Sequence, residues 1–193
     1  MVSGAASGQQ KVTASPPDPT DERIDEYGIS VPISANHPGR RFPSAEAMDA
    51  EIRVTAFLAD EDLKLESSSL LYTRIEIPDG FHVYGAPLPE GYFETTVHVQ
   101  EVKGIRVGDA SYPETHSREF AALGVTLNVY EGVVEVATPV TATADVLNWG
   151  VDRERMTLDV PIIVRYQTCS EDVCYLPRTV ELTLQVPLAE LTR

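Results

Sequence analysis

The sequence predicts an all-β fold, an antiparallel β-sandwich carrying a flexible N-terminal extension, and three observations lead there. Short apolar runs alternate with period two from Ile52 to Val186, turn residues separate them, and no stretch sustains a helical period. Many short strands with turns between them favour an antiparallel sandwich over any α/β layout. With 193 residues, 42% hydrophobic and 23% charged, the expectation is one soluble domain plus a tail.

Residues 1 to about 27 mix Pro, Asp, Thr, Ser and Gly with almost no large apolar side chains. Such a stretch buries too little to repay its ordering, so residues 1–45 are expected to be a flexible leader or linker, with the sandwich over 46–193. Ile29 to Pro43, punctuated by Pro32, Pro38 and Pro43, is expected to run extended over the domain surface. Ser44 to Ala50 is the one place for a brief helix, with Ser44 as its cap, or else leads straight into strand.

From Glu51 onward the pattern is β. Ile52, Val54 and Ala56 alternate, as do Leu71, Thr73, Ile75 and Ile77, before a Pro78-Asp79-Gly80 turn. Phe81 to Tyr84 forms a short strand broken by Pro87-Leu88-Pro89, and Thr95, Val97 and Val99 form the next. Gly104 to Val107 follows; Val125 to Tyr130 and Val133 to Val140 then flank Glu131-Gly132, expected as a hairpin or bulge. Asn148 to Asp152 reads as loop. The last two strands carry Leu158, Val160, Ile162 and Val164, and then Val180, Leu182, Leu184 and Val186.

Between those two strands lie Cys169 and Cys174, the only cysteines in the chain. Two cysteines flanking a tight turn meet the roughly 4.4–6.8 Å between Cα atoms that a disulfide needs. Closing a loop of about six residues restricts the unfolded chain by only roughly 2 kcal/mol, so the bond is a poor staple. A chain of this size buries a core without covalent help. Spacing alone leaves three readings open: redox chemistry, a structural bridge, or two unrelated buried thiols.

The residues around the pair resemble a known family. Tyr166-Gln167, Cys169, a short acidic or small linker, Cys174-Tyr175-Leu176-Pro177 and the strand Thr179 to Leu184 are similar to the N-terminal, periplasmic domain of the thiol:disulfide interchange protein DsbD. Ile77-Pro-Asp-Gly-Phe-His-Val-Tyr84 resembles that family's strand and turn ending in an active-site tyrosine. Arg118-Glu-Phe120 and Val129-Tyr-Glu-Gly132 resemble its cap loop and the strand after it. The likeness runs from about Ala50 to Leu188. Four residues separate the cysteines where the best-known members have five, and Arg118 stands where they carry an acidic residue.

The resemblance implies an immunoglobulin-like sandwich with a redox-active cysteine pair. It implies Cys174 as the sulfur that joins a partner in the mixed disulfide, and Cys169 as the resolving thiol. Phe120 would be the aromatic cap over the sulfurs, with Tyr84, Tyr175 and Glu119 around them; packing or a solvated ion pair is the ordinary alternative for each. The implied partner is a thioredoxin-like redox protein or domain, with a membrane electron-transfer module as a further candidate, and the recipients are exported thiol proteins. A periplasmic location follows from the likeness. No charged, apolar, small-residue series opens the sequence, and a fragment of a longer protein would reconcile the two.

The residues themselves carry part of this chemistry. Disulfide exchange is attack by a thiolate on one sulfur, so reach and ionisation decide its direction. Glu171 and Asp172 between the cysteines disfavour a second anion and are expected to raise the thiol pKa. The competing reading is a non-catalytic binding or accessory sandwich with a local structural disulfide. No cofactor or metal is expected: His37, His82, His98 and His116 stand singly, without ligand spacing. The net charge of −15 argues against nucleic acid or an anionic membrane as partner. No run spans a membrane, and a monomer is expected.

Overall fold

The computed structural model describes residues 22–24, 30–32, 44–49, 52–121, 124–148, 151–152 and 156–189. Expectations for residues 1–21 and for most of 29–43 fall outside them. The chain divides into two compact units, residues 1–36 and 37–193. In the first, β1 (Glu22–Ile24) pairs antiparallel with β2 (Ser30–Pro32), so part of the expected leader forms strand.

In the second unit, β3 (Ser44–Asp49), β4 (Ile52–Leu58), β5 (Ser68–Glu76), β6 (His82–Tyr84), β7 (Thr96–Val99) and β8 (Ile105–Val107) follow in order. They are succeeded by β9 (His116–Phe120), β10 (Val125–Tyr130) and β11 (Val133–Ala142). A 3-10 turn at Ala144–Leu147 leads to β12 (Val151–Asp152), β13 (Thr157–Tyr166), β14 (Thr168–Cys169) and β15 (Arg178–Pro187). The architecture is an antiparallel, immunoglobulin-like β fold.

One sheet has the order β3-β4-β5-β11-β8. The second carries β12 and β15 on β13, which β7 also pairs. Between them lies the main core, where Val54, Ile75 and Val136 of the first sheet join Val160, Ile162, Val164 and Leu184 of the second. Strict alternation produces this: along β15 exposed and buried residues follow one another from Thr179 to Val186. The third sheet, β14-β6-β10-β9, carries the cysteine pair's first member on its edge.

Of the two readings of Ser44 to Ala50, strand holds over Ser44–Asp49, because pairing with β4 over the whole length, Ser44 opposite Phe57 to Asp49 opposite Ile52, overrides local helix propensity. Two expectations need correction. Val151–Asp152, read as loop, pairs Leu158 and Thr157. Glu131-Gly132 is no hairpin: β10 belongs to the third sheet and β11 to the first, so here the chain crosses between sheets. Gly132 makes the crossing at φ 67°, and its carbonyl accepts the Ile77 N–H at 2.7 Å.

A candidate thiol:disulfide exchange site

The site begins with strand register. Cys169 lies opposite His82, Tyr84 opposite Val129, Leu127 opposite Arg118, and Val125 opposite Phe120. Directly paired residues share a side of a sheet, as do residues two apart. One face of the third sheet therefore presents Cys169, His82, Tyr84, Val129, Leu127, Arg118 and Phe120. Glu119 lies opposite Thr126, and alternation turns it to the other side of β9, where it is exposed.

After β14 the chain makes a tight turn. Ser170 N–H donates to the Val173 carbonyl at 2.8 Å, and Ser170 Oγ accepts the N–H groups of Asp172 and Val173. Tyr175 N–H donates to the Thr168 carbonyl at 2.9 Å, so Cys169 and Cys174 face each other as an antiparallel pair. They are joined in a disulfide with Cα atoms 4.0 Å apart, closer than expected because the cysteines are themselves the cross-strand pair of this turn. Their environments differ. Cys169 is fully buried, within a small core of Tyr84, Leu127 and Val129, whereas Cys174 is exposed on the turn.

Tyr84 links the two. Its hydroxyl stands 3.3 Å from both sulfurs, and because a disulfide has no proton to give, the hydroxyl is the donor. Burial, and then Tyr92 beside it, push the phenol above its ordinary pKa, so it keeps that proton near neutrality. Tyr92 meets the Tyr84 ring edge-on at 5.4 Å. Tyr175 goes elsewhere: half exposed, it tilts over Phe81 at 6.3 Å.

Phe120 packs against the buried core that holds Cys169, with its ring 5.1 Å from that of His82. Arg118 lies over the Phe120 ring at 5.6 Å. Its guanidinium also reaches Glu131 at 2.6 Å and Glu171 at 3.1 Å. Glu171 belongs to the turn between the cysteines, so an ion pair joins β9 to that turn and sets a positive charge against the carboxylate beside the sulfurs. Gly124, at φ 65°, donates its N–H to the Phe120 carbonyl at 2.9 Å where β9 turns into β10.

Three features of the site escape the sequence. His82 reads there as a lone histidine without metal-ligand spacing, although its alternation with Tyr84 places it on the sulfurs' face. Tyr92, in a Pro- and Gly-rich break, gave no periodic signal. The Arg118–Glu171 pair spans 53 residues and is invisible to any local pattern.

A disulfide with one buried and one exposed sulfur, on an edge strand of an immunoglobulin-like β fold, fits a thiol:disulfide exchange domain. The family model of the N-terminal domain of the thiol:disulfide interchange protein DsbD matches residues 54–186, and the chain belongs to that family. Among solved structures, the N-terminal periplasmic domain of ScsB from Proteus mirabilis is similar at 14% identity and a TM-score of 0.53, over 76% of this chain and 52% of that one. The present chain thus spans about half of the ScsB chain, and at this identity the likeness shows the fold. The reduced N-terminal domain of DsbD from Neisseria meningitidis is similar at 19% identity and a TM-score of 0.43, over 76% of this chain and 86% of that one. No curated protein matches the chain. Among the described residues no helix is long and apolar enough to cross a membrane.

Proposed function

We propose that this domain cycles Cys169 and Cys174 between disulfide and dithiol, taking electrons from a thioredoxin-like partner or a membrane module and passing them to exported thiol proteins. The observation that carries this reading is the asymmetry of the pair: Cys174 exposed, Cys169 buried. An incoming thiolate attacks Cys174 Sγ in line with the S–S bond. A new intermolecular disulfide forms, and the electron pair of the broken bond leaves on Cys169 Sγ. The partner's second thiolate then attacks its own sulfur and releases Cys174, so two electrons have entered the domain and the partner leaves oxidised.

Tyr84 serves this reaction by donating to the departing sulfur, and Phe120 by covering the buried Cys169 side of the pair. Val173, Tyr175 and Leu176, beside Cys174 in the chain, remain exposed and supply an apolar collar suited to a docked partner. A groove of about 630 Å³, lined by Tyr92, Phe93, Arg165, Pro177 and Arg178 among others, extends that surface. Glu119 has the weakest claim of the proposed shell. The working domain is taken as residues 46–193, acting outside the cytoplasm as a monomer, with 1–45 as leader or linker.

The test is trapping. Full-length Cys169→Ser, with Cys174 first activated as a thionitrobenzoate mixed disulfide, is expected to be attacked by the thiolate of a thioredoxin-like protein lacking its resolving cysteine, releasing thionitrobenzoate and leaving a protein–protein disulfide through Cys174, identified by mass spectrometry. Capture by Cys174→Ser through Cys169, and none by Cys169→Ser, would overturn the assignment. A reduction potential below about −300 mV would instead mark a structural bridge.

A further inference from the structure

His82 is buried with no exposed surface, and neither Nδ1 nor Nε2 has a hydrogen-bond partner among the described residues. A buried polar group without a partner is uncommon and destabilising, and a redox or catalytic role is one established reason for keeping it. The neighbours narrow the search. Phe120 covers the ring at 5.1 Å, Tyr84 meets it edge-on at 5.6 Å, and Cys169 lies directly across the ladder on the same side. Paired residues of this kind have Cβ atoms about 4.5–5.5 Å apart. In the disulfide, the Cys169 sulfur is tied to Cys174 and turned to the Tyr84 hydroxyl. Breaking the S–S bond frees the Cys169 side chain to rotate toward the imidazole.

We propose that His82 is the hydrogen-bond and proton partner of the Cys169 sulfur once the disulfide opens, and that it thereby sets the reduction potential of the pair. This rests on the exchange reading above and extends it to the buried half of the site. When Cys169 leaves as a thiolate, the ring N–H facing it donates to the sulfur. Uptake of one proton from water on the far nitrogen, with transfer of the near one to sulfur, yields a neutral thiol whose S–H is accepted by the same imidazole. The imidazole is thus unpaired in the disulfide and paired in the dithiol, a difference that favours the reduced form.

The relay requires a neutral ring at the outset. Burial, and then the Arg118 guanidinium, hold His82 below its ordinary pKa; His116 adds to this and Glu131 opposes it. Arg118 and His116 come from β9 and Glu131 from just past β10, while Tyr84 lies on the same strand as His82 and Cys169 on β14.

The experiment equilibrates the full chain with reduced and oxidised glutathione, comparing wild type, His82→Phe and His82→Asn. His82→Phe keeps a ring of similar size without nitrogens. Its equilibrium constant for reduction is expected to fall about tenfold, about 30 mV for a two-electron couple. His82→Asn, which donates and accepts, should recover part of that loss. In wild type, the His82 ring nitrogens should change their ¹⁵N shifts on reduction, and Cys169→Ala should lack the reduced-state signature. A His82→Phe constant within twofold of wild type, or ring shifts identical in the two redox states, would overturn the proposal. The shift measurement stands even where the Phe variant fails to fold. Glutathione is the only thiol used, so failure to trap a protein partner would sink the exchange reading without touching this result.

Discussion

Tyr84 is placed by three constraints acting on one side chain: it pairs with Val129 across the sheet, meets Tyr92 edge-on, and directs its hydroxyl at both sulfurs. A hydrogen bond to a charged acceptor contributes about 1.5–3 kcal/mol, so its effect grows as Cys169 becomes a thiolate. Tyr84→Phe should therefore slow reduction by a small thiol such as dithiothreitol about tenfold or more, measured by stopped flow, while the fold is retained. His82 makes a separate prediction about acid stability. Its pKa is lowered on folding from 6.5, so below that pH the unfolded chain takes up a proton that the folded chain still refuses. Stability should accordingly fall as pH drops below about 6.5, down to the folded-state pKa, and urea titrations of His82→Phe should lose that component of the slope. Both residues stand in one legible motif, Phe81-His-Val-Tyr84. Alternation put them on one face, but only the partner strands revealed that the face belongs to the sulfurs.

At the scale of elements, the long β13/β15 pair is readable because buried and less buried residues alternate along β13 and from Thr179 to Val186 of β15, and the pairing from Thr157 opposite Pro187 to Tyr166 opposite Arg178 keeps that pattern on one face. The cap hairpin depended on more than pattern. β9 is exposed along much of its length and has little apolar alternation, and its position comes from pairing with β10 and from the Arg118 contacts. On the proposed covering role, Phe120→Ala, which leaves the strand pairing, should speed reoxidation of the dithiol by hydrogen peroxide several-fold. The Arg118–Glu171 pair is a surface contact in energy, worth about 0–1 kcal/mol, and its interest lies in joining cap to turn. Glu171→Gln breaks that tie and removes a negative charge beside the cysteines. It should accelerate reduction by anionic glutathione about two- to fivefold, with the gain shrinking at high salt as screening weakens both effects.

For the molecule as a whole, stability and redox chemistry reside in different layers. The core between the first two sheets contains Ile162 and Leu184, both fully buried and distant in topology from the β14 edge. Ile162→Ala should cost about 2–5 kcal/mol in the oxidised and reduced proteins alike and leave the reduction potential unchanged. The disulfide closes so small a loop that opening it should cost about 2 kcal/mol or less, and the dithiol form should remain folded in denaturant titrations with reductant present. Such decoupling suits a domain that must survive both states of its switch.

Period-two alternation and turn residues determined from sequence alone that the chain is an antiparallel sandwich, and the cysteine spacing with its flanking residues pointed to the family, because these are local properties set by where each side chain must point. Which sulfur is exposed, which tyrosine reaches the pair, that Arg118 grips the redox turn, and that Glu131-Gly132 crosses between sheets were decided only in the tertiary structure. Those relations join residues tens of positions apart, and strand order, not strand pattern, brings them together.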